Sequence, residues 1–528
     1  MGVMDAEVIV VGAGHNGLVC AAYLARAGLR VALLEARDSV GGCASTVDAV
    51  GGRVNICHCD HTAIRTLPLV EELDLARFGL RYLDLDLTLV AESWSADAPM
   101  FHFHDAERTL DALRVSLPDQ VEGYRRYLDD ALPVARLVLE VAGSAPNPAA
   151  AAQALARRGG RGLTTLLRWS RASTAQVLRR YFTSETIMGA VVAGGPAVWG
   201  VSPHLPGTGL GALRFVLAHL VRPGRPVGGS GALTDALRAA FEAAGGTVAT
   251  GRRVERLLVE GERMVGVRTV TGEEWRAPVV VVASDPRTAI VEWLSRAPAS
   301  VGGFVDRWRS RPNPDGYESK LDATLAQLPT MRLDGRLLDA VGVTHDDVLA
   351  ATTYVTPTVD GIAHAHRLMN QGRVVDRPIF LSGIPSVLDP TLRTATGGHV
   401  LSLEVLFTPY GLPGGWAGSH EPRRWLELFD RHVAAGLLDG VQQWRAMTPD
   451  RYEDEFFLPK GFAPSFAGGP LAALFGRDPE LTRYRTPVEG LFLTGAGTFP
   501  GAGVWGAPGR NAAAVVLESA ALSGRVPA

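Results

Sequence analysis

The chain is poor in cysteine, in lysine and in long apolar runs, and each shortage narrows what it can be. Its four cysteines, Cys20, Cys43, Cys57 and Cys59, all fall in the first 59 of 528 residues. Four are too few for a disulfide-stapled scaffold, and with no C-x-x-C pair there is no thioredoxin-type redox centre to expect. Low cysteine usage points to a reducing compartment, so a cytoplasmic location is expected. No window holds eighteen uninterrupted apolar residues, which argues against a spanning helix. The nearest approach, Ile187 to Val201, is interrupted by Gly189, Gly194, Gly195 and Pro196 and reads as a buried loop and helix. Residues Met1 to Glu7 have no basic n-region, so no signal peptide is expected. Charge is sparse at 20% and nearly balanced at −3, which gives no electrostatic reason for a nucleic-acid partner. Of 52 basic residues only Lys320 and Lys460 are lysine, a coding bias rather than a functional signal.

Glycine and apolar residues are abundant: 60 glycines, with 47% of the chain hydrophobic. The glycines are informative where they punctuate apolar runs. Val8 to Val11 is an apolar run of strand length, and Gly12-Ala13-Gly14-His15-Asn16-Gly17 follows it as G-x-G-x-x-G. A helical pattern comes next, then a second apolar run, Val31 to Leu34, that ends in Glu35. Strand, turn, helix, strand and acid together form the dinucleotide-binding fingerprint. Gly12 permits the turn, Gly14 lets a pyrophosphate approach the backbone, and Gly17 lets helix and strand pack closely. His15 and Asn16 open the helix whose N-terminal NH groups face the phosphates. Glu35 suits ribose hydroxyls and would repel a 2′-phosphate, which favours FAD or NAD over NADP. Ala36, Arg37, Gly41, Gly42, Ser45 and Thr46 form a glycine-doublet segment after the second strand, expected to pass close to the pyrophosphate.

Further along, Leu110-x-x-Leu113 and Tyr124-x-x-Tyr127 show helical spacing. At Arg225 to Leu237 a glycine-rich turn opens an amphipathic helix, and short strands follow up to Val279–Ala283. Val400 to Phe407 reads as a strand, and His364 and His366 as strand or loop on the surface. The chain ends in a second strand–glycine–helix unit: Leu491 to Leu493, then Gly495, Gly497, Val504 and Trp505, then an Ala/Val helix. The expected organisation is an α/β, Rossmann-like FAD-binding domain in three parts, 1–95, 225–290 and 485–528. A helical cap at 96–224 and a substrate domain at 291–484 are interleaved with it.

With these segments in place the chain resembles the phytoene desaturase-type FAD-dependent oxidoreductases over nearly its whole length. Within that superfamily it is most similar to desaturase-like carotenoid ketolases and to proteins related to pyridine nucleotide-disulfide oxidoreductase domain-containing protein 2. The resemblance rests on Gly12–Gly17 with Glu35, on Arg37–Thr46, on Val227–Leu237 and on Leu491–Asn511. It implies an amine oxidase/phytoene desaturase-like architecture with an α+β substrate domain and non-covalent FAD. It also implies that Gly12, Gly14, Gly17, Glu35, Arg37, Gly41, Gly42, Ser45, Gly497 and the backbone of Val254 contact the cofactor. Gly207 to Gly211 follows no strand, so no nicotinamide domain is visible. O2 or a quinone is the expected electron acceptor.

The candidates for catalysis are His58, Asp60 and His61, as proton acceptors near flavin N5, and Trp505, stacked near the isoalloxazine or walling the substrate site. Beside this stand a covalent flavin link and a structural role for Cys57–His61. Five consecutive residues rarely present tetrahedral ligands, so no metal is expected. Glu404 interrupts an apolar strand and is expected in solvent, with a cavity carboxylate as the alternative. The expected activity is dehydrogenation or oxidation of an apolar carotenoid, isoprenoid or polyketide-like molecule by hydride transfer to flavin. The alternatives are an amine or amino-acid oxidase, a reduced-flavin isomerase and a non-catalytic FAD-binding protein. Polyene substrates live in bilayers, so peripheral contact with the inner face of a membrane is a further expectation. The sequence does not specify an oligomeric state.

Overall fold

The computed structural model describes residues 6–57, 59–95, 97–294, 297–466, 469–476 and 478–522. Apolar runs without polar alternation become parallel strands covered on both faces. Strand β1 (Val8–Val11) lies between β2 (Val31–Leu34) and Val279–Val282. Thr247–Ala249 extends the sheet beyond β2, and Leu491–Leu493 closes its other edge. All five strands are parallel and come from three remote stretches of chain. Helix α1 (His15–Arg26) covers one face together with helices Gly231–Ala243 and Ala507–Leu522. The other face is buried by Leu257, Trp275, Ile290, Phe304 and Trp308.

A second, seven-stranded sheet runs in the order Val441–Met447, Glu318–Leu325, His399–Leu406, Ile379–Gly383, Thr352–Thr356, Leu87–Ser93 and Met100–Phe103. Its neighbours are antiparallel except Thr352–Thr356 with Leu87–Ser93. Leu87–Ser93, expected in the nucleotide-binding segment 1–95, therefore pairs within this second sheet. One face packs Leu321, Ala323, Leu403 and Val405 on Trp425, Leu426 and Phe429 of helix Glu421–His432. The opposite face carries Ala91, Tyr354, Leu381 and Leu406 toward helices Val121–Ala142 and Glu185–Gly194. His364 and His366 lie on a helix, Val359–Met369, whose start is capped by Thr358 accepting from the Gly361 NH at 3.1 Å. Ile187 falls in the buried helix Glu185–Gly194. Among the described residues no helix is long and apolar enough to cross a membrane.

α1 meets the C-terminal helix at Gly509, where the C-terminal helix has no room for a side chain. A Cβ on Gly509 would stand 2.2 Å from the Asn16 carbonyl oxygen. Gly509→Ala must push the helices apart, and overpacking of this kind costs about 1–3 kcal/mol. A lowered melting temperature is expected in thermal denaturation, and an unchanged one would show that the crossing is not tight.

Candidate functional site

The site is built at the carboxyl edge of the parallel sheet, where open α/β folds bind ligands. The turn after β1 is held by the Gly12 NH donating to the Leu34 carbonyl at 2.8 Å. Gly12 has φ +100°, and a Cβ on Gly17 would stand 1.9 Å from the Gly12 oxygen, so both positions require glycine. A Cβ on Gly14, at the start of α1, would meet nothing within 4 Å, which leaves the backbone there bare and facing open space. The glycine doublet lies alongside: the Gly41 NH donates to the Ala13 carbonyl at 2.8 Å, and Gly14 bridges Gly41.

Glu35 is buried, and its two carboxylate oxygens accept from the Ala13 NH at 2.7 Å and the Arg37 NH at 3.0 Å. Each oxygen keeps a second lone pair, which is what a ribose diol would use. Ala36 is half-buried in the bend that follows. The Arg252 NH donates to the Glu35 carbonyl at 2.7 Å and brings buried Val254 beside this acid. Across the edge, Gly495 and Gly497 follow the last strand, with half-buried Val504 and Trp505 packed on the first-sheet core. His15 ties the two halves together by donating from Nε2 to the Gly503 carbonyl at 3.1 Å. Burial holds its pKa down to about 4, against the pull of that hydrogen bond, so the imidazole is neutral at the positive end of α1.

Several buried polar atoms at this edge have no partner among the described residues: Asn16 Oδ1, Arg37 Nη1, Ser284 Oγ and Thr494 Oγ1. Ser284 and Thr494 stand just beyond two adjacent strands, Val279–Val282 and Leu491–Leu493. Buried polar groups are ordinarily satisfied. Donors and acceptors lining a bare glycine turn therefore fit a polar dinucleotide. Sequence reasoning missed Ser284 and Thr494, although each follows an apolar run at the edge where the fingerprint already puts the ligand.

The remaining candidates divide differently. His58 lies outside the described residues. Asp60 is paired with Arg225, Oδ1 to Nε at 2.5 Å, and also accepts from Thr352. His61 is fully buried, with Nδ1 at 3.1 Å from the Tyr82 hydroxyl and Nε2 at 3.1 Å from the Ser230 hydroxyl. Both residues are locked into the frame by these contacts. The hydroxyls of Ser45 and Thr46 also turn inward. Ser45 donates to the Gly42 carbonyl at 2.6 Å, and Thr46 donates to Asn55 Oδ1 at 2.8 Å. Trp505 Nε1 donates to Thr66 Oγ1 at 3.2 Å, and its ring packs beside Phe499 and Ala142.

The inner face of the second sheet supplies acids of its own. Lys320 opposes Glu404, and Glu318 lies two residues from Lys320, so all three point to one face. Lys320 turns to Asp322 and to the Asn55 carbonyl, 2.7 Å from Nζ, and Arg445 joins Asp322 at 3.0 Å. Glu318 and Glu404 are left half-buried with no cation among the described residues. Burial, then the neighbouring Glu404 charge, push the Glu318 carboxyl up to about 8. Glu404, expected in solvent, thus faces inward, because the helical cap and the N-terminal segment cover this face of the sheet. A cleft of about 520 Å³ opens at the carboxyl edge, with Asp285, Pro286 and Gly497 near its base and Phe462, Phe466 and Leu481 on its walls.

Residues 10–71 match the NAD(P)-binding Rossmann-like domain family. The chain is 30% identical to pyridine nucleotide-disulfide oxidoreductase domain-containing protein 2 of Rattus norvegicus, across 97% of this chain and 93% of that protein. It is 24% identical to one of the polypeptides of the limonene dehydrogenase of Castellaniella defragrans, across 99% and 96% of the two chains. A phytoene desaturase (neurosporene-forming) of Rhodobacter capsulatus is also 24% identical, across 94% and 91%. In fold it is similar to cyclohexylamine oxidase from Brevibacterium oxydans, with a TM-score of 0.58 at 16% identity over 98% and 99% of the chains.

Because Glu318 keeps its proton to about pH 8, the folded protein binds that proton more tightly than the unfolded chain, whose glutamate titrates near 4.5. Its stabilising contribution is complete below about pH 4.5 and is lost as pH rises through about 8. Glu318→Gln is expected to flatten the decline of melting temperature across that window in the cofactor-free protein. Parallel declines in both proteins would show that Glu318 titrates normally.

Proposed function

The chain belongs to the phytoene desaturase-type superfamily of FAD-dependent oxidoreductases, alongside pyridine nucleotide-disulfide oxidoreductase domain-containing protein 2, and on that footing we propose that it dehydrogenates an apolar small molecule of isoprenoid or polyketide-like type. FAD is the proposed dinucleotide, held without a covalent link. Glu35 would accept from the ribose hydroxyls, and the NH groups at Gly14 and the start of α1 would face the pyrophosphate. Ser284 and Thr494 would give their unpartnered hydroxyls to the polar parts of the cofactor. When bound, the flavin supplies a two-electron acceptor for hydride.

The chain's own part is to position the substrate and move the proton. Forming a carbon–carbon double bond releases a proton as well as a hydride. The observation that carries this reading is the half-buried Glu318–Glu404 pair. Glu318 holds a proton up to about pH 8, and Glu404 beside it would receive the proton that the substrate loses. The aromatic and aliphatic walls of the 520 Å³ cleft suit an apolar substrate, and two relatives are named for limonene and phytoene. Phe475, 75% exposed on the short helix whose residue Ala472 lines that cleft, is the proposed point of peripheral membrane contact for a bilayer-borne substrate. O2 or a quinone is the proposed final acceptor. Amine oxidation is a second reading, since the same two carboxylates would pair with an ammonium group.

Two measurements test this. The purified protein should show a two-banded oxidised-flavin spectrum that passes into the supernatant on denaturation. A colourless protein that takes up no added FAD would overturn the cofactor assignment. Glu404→Gln should bind flavin normally and slow product formation from a terpenoid substrate by about 10²-fold or more. An unaffected rate would remove Glu404 as the proton acceptor, and turnover of amines alone would favour the second reading.

A further inference from the structure

Two of the four cysteines, far apart by sequence spacing, meet in the fold. Thr46–Ala49 and Gly52–Asn55 form a hairpin in which Thr46 opposes Asn55, and the Ile56 NH donating to the Ser45 carbonyl at 3.0 Å carries the ladder past its open end. The chain entering this hairpin carries Cys43 and the chain leaving it carries Cys57. Their thiols are hydrogen-bonded to one another and are not joined by a disulfide. Both are half-buried, whereas Cys20 and Cys59 are buried.

The backbone on each side is pinned. Beside Cys43, the Gly41 NH binds the Ala13 carbonyl of the dinucleotide turn. Beside Cys57, the Ile56 carbonyl accepts from the Tyr452 hydroxyl at 3.3 Å, and the Asn55 carbonyl accepts from Lys320. The contact between the thiols is thus enforced by two anchored stretches of chain flanking the hairpin.

We propose that Cys43 and Cys57 are a redox-active dithiol that exchanges with disulfide-bearing molecules and closes a disulfide across the open end of this hairpin, beside the dinucleotide turn. Cys43 is the attacking sulfur. The Cys57 S–H donates to it and the Arg37 guanidinium attracts its charge, and together they hold its pKa below the ordinary thiol range despite burial. Cys57 keeps its proton, because it is the donor in that pair, is drawn back from water, and faces the charge of Cys43. In the first step the Cys43 thiolate forms a bond to one sulfur of the incoming disulfide, and the other sulfur leaves as a thiolate that takes up a proton. In the second step Cys57, losing its proton, attacks Cys43 and releases the second thiol. Two cysteine thiols are oxidised and one external disulfide is reduced to two thiols, so electrons and protons balance. This exchange is independent of which substrate the flavin site takes.

The test treats the flavin-loaded protein with oxidised glutathione, then denatures, alkylates and maps the peptides. A Cys43–Cys57 linked peptide, two hydrogens lighter and reopened by dithiothreitol, is expected, with Cys20 and Cys59 alkylated throughout. Cys57→Ser should instead accumulate glutathione on Cys43, since the resolving thiol is gone. The proposal is overturned if Cys43 and Cys57 stay alkylatable in the native protein after that treatment, or if either links to a different cysteine. Mapping of the unmutated protein decides the matter even where a serine variant does not fold.

Discussion

The close approach of α1 to the turn after β1 is the constraint on which the rest of this structure depends. With 1.9 Å between a notional Gly17 Cβ and the Gly12 oxygen, no side chain can separate helix from strand. That contact aims the start of α1 at the carboxyl edge of the sheet. It also sets α1 low enough to be crossed by helix Ala507–Leu522, where Gly509 comes equally close to the Asn16 oxygen. The C-terminal strand and its glycine turn reach the same edge from the far end of the chain. A site assembled from such remote segments needs a rigid reference, and α1 provides it by packing on the helices of both later segments.

Polar contacts fasten the second sheet to this frame. Asn55 Oδ1 accepts from the Ser230 NH at 2.9 Å and from Thr46, while its carbonyl accepts from Lys320. Lys320 and Asp322 are almost wholly buried, so removing either would strand a charge in the interior. The Asp60–Arg225 pair does the same work nearby, with the guanidinium also donating to the Ala350 carbonyl at 2.5 Å. Buried ionic contacts of this sort add little net stability over apolar packing, but they tolerate only one arrangement of the sheets. That is what a site shared between two sheets requires.

The nucleotide half was legible because its signals are local. Apolar runs, a glycine turn at fixed spacing and one acid specify a strand, a helix start and a buried carboxylate at the sheet edge within a few dozen residues. The second half was less so. Glu318, Lys320 and Asp322 alternate with Leu321 and Ala323 along one strand, and alternation alone assigns the polar face to water. Here that face is covered by other parts of the chain, which no short window reveals, so Glu404 was expected on the wrong side and Glu318 went unnoticed. The hairpin that joins Cys43 to Cys57 carries its own turn signal in Gly51-Gly52. Reading cysteines only by sequence spacing excluded a pair that a two-stranded ladder creates. Within the Cys57–His61 run, conspicuous for its composition, Asp60 and His61 are held in place through Arg225, Tyr82 and Ser230.

The inner face of the second sheet also shows why its two glutamates differ from the acids around them. Five charged residues share this surface, and register sets Lys320 directly opposite Glu404. Lys320 does not take that partner. It turns to Asp322, and Arg445 takes the other oxygen of the same aspartate. Asp322 thus collects both cations, and among the described residues Glu318 and Glu404 are left with none in a half-buried setting. A fold under selection for stability alone would pair them or replace them with apolar residues, since an uncompensated buried acid is costly. The raised Glu318 is the physical consequence: the cost is relieved by keeping one proton on the pair. Acids left short of cations in this way suit the proton transfer proposed for them better than they suit cohesion. That links the polar register of one strand to the chemistry proposed at the edge of the other sheet.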